Sequence, residues 1–186
     1  ALPISGKVAI VTGGGRGIGR AIAEALALAG AHVTITAARG GDELARSAAE
    51  IAAKVGKGAG RERVLALTAD VRDEDDCRRV VEETVQWFGG LHILVNNAGR
   101  GYRFILEANA HLAEGERLKF WNTPTDLWRM IIDTNVHGPF LMAKHATPHM
   151  LTGSWGRIVN IGATFNTMSK KGNAPYGSSK TTVEPA

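Results

Sequence analysis

The chain has 186 residues, with 22 Lys and Arg against 18 Asp and Glu, a formal net charge of +4 and a hydrophobic fraction of 44%. That length suits one core in one domain, residues 1–186, and basic pairs as scattered as Arg78-Arg79 and Lys170-Lys171 argue against a nucleic-acid partner. No stretch is apolar enough to span a bilayer, Ala1-Leu2-Pro3-Ile4 lacks a signal-peptide pattern, and the single cysteine, Cys77, has no internal partner, so a soluble, cytoplasmic protein with no membrane partner is expected.

Val8-Ala9-Ile10-Val11 is a short apolar run that ends in glycines, and the residues after it set Ile18, Ile22, Leu26 and Ala29 on one predicted helical face. Residues 31–36 make a second β-rich run and residues 42–55 an Ala-rich helix. A flexible loop over 56–60 then leads to a third strand at 64–68. The alternation continues with a helix over 73–88, a strand over 91–95, a long helix over 125–150 and a strand over 157–161. Strands that alternate with helices and are apolar on both faces predict a parallel α/β sheet with helices on each side, and ligands bind such sheets at the carboxyl ends of the strands. Residues 100–122 read as an irregular segment, rich in charge and aromatics, that could serve as a lid, a substrate wall, a subunit contact or a plain surface insertion.

The glycine-rich stretch Thr12-Gly13-Gly14-Gly15-Arg16-Gly17-Ile18-Gly19 lies directly between the first strand and the first helix. In that context a glycine turn brings backbone against a pyrophosphate, which the free N–H groups and the dipole of the helix favour. Tyr176-Gly177-Ser178-Ser179-Lys180 sets a phenol and an ammonium four residues apart, on one face of a helix. A positive charge there is expected to lower the phenol pKa, so that Tyr176 can exchange a proton with a substrate hydroxyl or carbonyl.

These motifs, together with Asp70-Val71 after the third strand, Asn96-Asn97-Ala98-Gly99 after the fourth and Asn135 in the long helix, resemble the classical short-chain dehydrogenase/reductase family over nearly the whole chain. The resemblance implies a Rossmann-type, doubly wound sheet and a nicotinamide cofactor that carries the hydride. It implies that Tyr176 is the acid/base and that Lys180 activates it and holds the nicotinamide ribose. Asn135 would order a water that relays protons, Asp70 would meet the adenine amino group, and the turn after the fourth strand would wall the adenosine ribose. The expected cofactor contacts are Gly13, Gly15, Arg16, Gly17, Ile18, Gly19, Arg39, Asp70, Val71, Asn97, Ala98, Gly99, Ile161, Tyr176 and Lys180, and the expected substrate is a small carbonyl or alcohol. A homodimer or homotetramer is the family's common assembly.

The chain also departs from the family. Members carry a serine thirteen residues before the tyrosine, where it donates to the reacting oxygen; that position is Ala163 here, and Thr164 follows as the candidate replacement. One lost donor can cost about 10²–10³ in rate. An impaired dinucleotide-binding protein and an enoyl or imine reductase therefore stand as alternatives to a carbonyl reductase. Members also continue beyond the catalytic helix, whereas this sequence stops at Ala186 with Pro185 where the helix should run on, so a truncated chain lacking C-terminal elements is expected.

An acidic residue at the end of the second strand would bind the ribose hydroxyls of NAD, and Thr36-Ala37-Ala38 has none. Arg39 and Arg16 could instead converge on the extra phosphate of NADP, so NADP(H) is favoured over NAD(H). His145 and His149 lack a third ligand at compatible spacing, so no metal is expected, and Cys77 reads as an ordinary helix residue. Trp121 and Trp128 could line a pocket or serve packing.

Overall fold

The computed structural model describes residues 4–56, 62–170 and 172–182. The predicted loop over 56–60 falls outside them from residue 57 onward, as does Pro185. The apolar runs form β1 (Val8–Val11), β2 (His32–Ala37), β3 (Val64–Thr68), β4 (Ile93–Asn96) and β5 (Arg157–Asn160). They make one wholly parallel sheet in the order β3-β2-β1-β4-β5. From β1 the chain winds outward through β2 and β3, then crosses back to β4 and β5. This is the doubly wound, Rossmann-type arrangement, and the strand order reverses at β1 and β4, where a crevice opens at the carboxyl ends.

Strand residues feed two cores alternately. Ala9, Val11, Val33 and Ile35 pack against α1 (Gly17–Leu28) and α2 (Asp42–Val55), while Val8, Ile10 and Leu94 pack against α3 (Glu74–Phe88) and α6 (Gly138–Thr152). Both faces are covered, which is why β1 is apolar at every position. Helix α3 begins where the Asp73 carboxylate accepts from the N–H groups of Asp75 (2.8 Å) and Asp76 (3.1 Å).

Three sequence expectations are corrected here. The fully buried face of α1 is Gly19, Ala23 and Ala27, with Ile22 and Leu26 packed partly buried against the same core, whereas Ile18 is 67% exposed. Small residues face the sheet because the helix lies so close: a Cβ on Gly19 would stand 2.3 Å from both the Gly13 carbonyl oxygen and Asn97 Nδ2. The long helix predicted over 125–150 is interrupted, running as α5 (Thr125–Ile132), a π turn (Asp133–His137) and α6. Pro139 has no N–H to offer the carbonyl of residue 135, so regular α-helical bonding must fail there. Residues 100–122 are not wholly irregular, since they hold α4 (Arg103–Ala108) and two 3-10 turns (Glu114–Glu116 and Phe120–Asn122). The segment is knit by side chains bonded to backbone: Asn109 Nδ2 donates to Arg117 O (2.8 Å), and Arg117 Nε donates to Leu112 O (2.9 Å).

Gly19→Ala is expected to destabilise the protein by about 1–3 kcal/mol, because overpacking against backbone has no cheap relief. A lowered urea midpoint with an unchanged slope would register it.

Two imidazoles tie stability to pH. His92 Nδ1 accepts from the Val8 N–H (3.1 Å), and His32 stacks on Phe88 (5.1 Å between ring centroids) with its Nδ1 buried and unbonded. Burial first, then Lys7 for His92 and Arg63 for His32, holds both below the ordinary value of 6.5. The unfolded chain therefore takes up these protons before the folded one does. Their contribution is complete above about pH 6.5 and is lost as the pH falls through the lowered folded values. The denaturant midpoint should drop between pH 7.5 and 5.5, and His92→Gln should flatten that drop.

Candidate active site

The first turn is built by backbone held on all sides. Thr12 N donates to Val95 O (3.0 Å), Gly14 N donates to Thr36 O (2.9 Å), and Ser47 Oγ donates to Gly15 O (2.6 Å). Asn97 Nδ2 donates to the carbonyls of Thr12 (2.8 Å) and Gly13 (3.2 Å), while Thr12 Oγ1 accepts from the N–H groups of Asn97 and Ala98, both at 3.0 Å. The turns after β1 and β4 are thus one bonded unit.

A cavity of about 520 Å³ opens beside this unit, at the carboxyl ends of the strands. From the glycine turn it is lined by Gly13, Gly15, Arg16, Gly17, Ile18 and Gly19. Arg39 follows from the end of β2, Asp70 and Val71 from the end of β3, and Asn97, Ala98 and Gly99 from the end of β4. Sequence reasoning singled out each of these residues. It missed Glu43, Leu44, Arg100, Phe104 and Thr134, which share the wall. Two of them carried a signal: Glu43 lies in the first turn of α2, which starts at the same strand ends, and Arg100 directly follows Gly99.

The cavity suits a dinucleotide pyrophosphate on independent grounds. Helix α1 begins with no side chain capping its first N–H groups, so its positive end faces the cavity unsatisfied. Gly17 has φ +54, and a Cβ there would meet nothing within 4 Å, so the turn leaves open space against bare backbone.

At the end of β3, Asp70 is already engaged. Arg72 Nε donates to both Asp70 carboxylate oxygens at 3.0 Å, Nη2 donates to Oδ2 (2.6 Å), and the Arg72 N–H donates to Oδ1 (3.0 Å). The hydrogen bonds from Arg72 hold the Asp70 carboxyl below the usual carboxylate range. An adenine amino group would have to share an acceptor that a guanidinium already occupies.

The catalytic candidates Tyr176, Lys180, Asn135 and Thr164, with Ile161, do not line this cavity. Their connection to it runs through Gly99, where a Cβ would lie 3.4 Å from Asn135 Oδ1 and 3.7 Å from Lys180 Nζ. Tyr176 and Lys180 share α8 (Tyr176–Thr181), and Lys180 is 6% exposed with Nζ donating to Ile161 O (2.6 Å). Asn135 lies in the π turn, accepts from Arg100 N (2.8 Å), and donates to Arg100 O (3.0 Å) and Ser179 Oγ (2.8 Å). The structure therefore brings Asn135 and Lys180 together beside the end of the cavity.

Two expectations change. Burial pushes the Tyr176 phenol up, not down, and burial pushes the Lys180 ammonium down. The ammonium donates to the Ile161 carbonyl, and among the described residues no hydrogen bond joins it to the phenol. Thr164 is exposed and caps α7 (Phe165–Met168), its Oγ1 accepting from Thr167 N (3.3 Å) and pairing with Thr167 Oγ1 (3.0 Å). Its hydroxyl serves the helix start, and among the described residues no hydrogen bond joins it to Tyr176.

Elsewhere, Cys77 is buried in α3, and burial followed by four neighbouring carboxylates pushes its thiol up to about 12, which leaves it inert. His145 Nε2 meets Glu74 Oε1 (3.1 Å), and among the described residues no group of three or more His, Cys, Asp or Glu could hold a metal ion. Trp121 is 65% exposed and stands edge-on to Phe120 (5.1 Å), while Trp128 is partly buried in α5. Among the described residues no helix is long and apolar enough to cross a membrane.

Known proteins resemble this arrangement along most of the chain. Glucose and ribitol dehydrogenase of Daucus carota is 36% identical over 172 residues, covering 92% of this chain and 53% of its own length. The 3-oxoacyl-(acyl-carrier-protein) reductase FabG of Staphylococcus aureus is 34% identical over 177 residues, covering 95% of this chain and 64% of its own. Among solved structures, NAD+-bound xylitol dehydrogenase superposes with a TM-score of 0.79 at 28% identity, over 97% of this chain and 62% of that one. The chain thus spans between about half and two thirds of the length of these relatives. The profile of the short chain dehydrogenase family matches residues 7–185, and with these relatives it establishes that the chain belongs to that family of oxidoreductases.

Proposed function

We propose that this chain carries the cofactor-binding and catalytic face of an NAD(P)-dependent oxidoreductase that interconverts a small carbonyl and its alcohol. The observation that carries the reading is the meeting at Gly99 of two structures, the open glycine-turn cavity and the buried Lys180–Asn135 cluster next to Tyr176. The nicotinamide, when bound, supplies or accepts the hydride. The N–H groups of α1 and the Gly13 to Gly19 turn hold the pyrophosphate, and Ile161, Asn97, Ala98 and Gly99 shape the path toward α8.

Tyr176 Oη handles the proton. A phenol is protonated at neutral pH, and burial pushes its pKa further up, so Tyr176 stands as a donor to a developing alkoxide, which suits carbonyl reduction. Lys180, fixed by Ile161 O, stands where it can hold a ribose hydroxyl and return a proton to the phenol, and Asn135 positions the backbone of residue 100 beside it. With Ala163 at the position where relatives place a serine, and the Thr164 hydroxyl committed to its cap, the substrate oxygen has one fewer donor.

Arg16 and Arg39 on the cavity wall support NADP(H) over NAD(H), since each can fork onto a phosphate. Glu43 on the same wall supports the second reading, NAD(H), because a carboxylate accepts from ribose hydroxyls and repels a phosphate. The exposed Phe140 (63%) and Leu151 (73%) of α6 are consistent with a homodimer or homotetramer, which we place in the cytoplasm.

Reduction of a panel of ketones and aldehydes tests the activity. Tyr176→Phe should lower kcat by at least about 10²-fold without weakening dinucleotide binding. Ala163→Ser should raise kcat by about 10²-fold. Dinucleotide binding with no turnover in either the parent or Ala163→Ser would favour a non-catalytic nucleotide-binding protein, and activity on enoyl thioesters alone would favour the enoyl reductase.

NADPH should bind at least about ten-fold more tightly than NADH, the value of one charge-assisted hydrogen bond. Equal or tighter NADH binding, read by fluorescence titration, would give the cofactor site to Glu43 instead.

A further inference from the structure

The cavity wall carries a third guanidinium that neither the glycine turn nor the end of β2 supplies. Arg100 follows Gly99, and its backbone is fixed on both sides by Asn135, whose Oδ1 takes its N–H (2.8 Å) and whose Nδ2 meets its carbonyl (3.0 Å). Its guanidinium lies over the ring of Phe104, 4.8 Å from the centroid, and Phe104 lines the same cavity. The direction of this side chain is therefore set before any ligand arrives.

Asp70 offsets its charge only in part. Asp70 is the nearby carboxylate, but Arg72 occupies both its oxygens, and among the described residues Arg100 makes no ion pair of its own. Burial, then the positive charge of Arg72, pushes Arg100 below its ordinary value; Asp70 opposes this and Arg39 adds a smaller push in the same direction. Arg39 and Arg100 thus repel each other across one cavity, and an anion seated between them would relieve that repulsion.

We infer that Arg100 is a specificity-determining residue which, with Arg39, recognises a phosphate group on the adenosine part of the cofactor beyond the pyrophosphate. The inference rests on the NADP(H) reading above and adds a residue to it. Arg100 places a planar pair of donors, steadied by an aromatic ring, on the cavity wall, and a bound phosphate would accept from it.

Calorimetric titration with adenosine 2′,5′-bisphosphate and with 5′-AMP separates the possibilities, because the two ligands differ only by the extra phosphate. Arg100→Gln should weaken the bisphosphate by about ten-fold while leaving 5′-AMP within about two-fold. Arg100→Lys, which keeps the charge without the fork, should fall between the parent and Arg100→Gln, and it serves as the test if Arg100→Gln does not fold. An equal loss for both nucleotides would assign Arg100 to the adenine or ribose and overturn the inference. Unchanged affinity in both Arg100 variants, with a loss in Arg39→Ala, would overturn it while leaving the NADP(H) reading intact. A parent protein that binds the two nucleotides equally would sink that reading itself, and the inference with it.

Discussion

Thr12 and Asn97 hold the turn after β1 against the turn after β4, through hydrogen bonds of 2.8–3.2 Å that satisfy backbone groups on both sides. Everything else in the site takes its position from that union. It lets α1 start within touching distance of the sheet, and only Gly19 could stand at that approach. It also fixes where Gly99 and Arg100 emerge, and hence where the cavity ends and the catalytic cluster begins. A side chain of any size at the crossing would push α1 outward and carry its positive end away from the crevice.

The cluster around α8 is electrostatically economical. A buried ammonium needs acceptors, and Lys180 finds one in the Ile161 carbonyl at the end of β5, so the edge of the sheet and the helix are joined through this candidate residue. A buried phenol resists ionisation, and Tyr176 does. In the carbonyl reduction proposed above, this protonated form is the one that would donate to the developing alkoxide.

Much of this was legible in the sequence. The strands were, because apolar runs between glycine and helix signals have few other meanings, and so were the glycine turn and the sharing of one helix by Tyr176 and Lys180, though not the raised pKa of the phenol. The buried face of α1 was not: hydrophobicity pointed to Ile18, whereas the closeness of packing selected Gly19, Ala23 and Ala27, and closeness is a property of the partner surface. The π turn was half visible in Pro139, whose missing N–H announces a broken ladder without saying what replaces it. Thr164 shows the limit most sharply, since a hydroxyl near the right position looks like a donor until the backbone around it is seen to use it as a cap. Glu43 and Arg100 escaped because wall membership depends on how neighbouring loops fold toward one another.

The amide of Asn135 grips both backbone atoms of residue 100 and the Ser179 hydroxyl, so the loop that lines the cavity and the helix that bears the phenol share one clasp. Tension on either is felt by the other. Loosening that clasp would let the two sides drift independently.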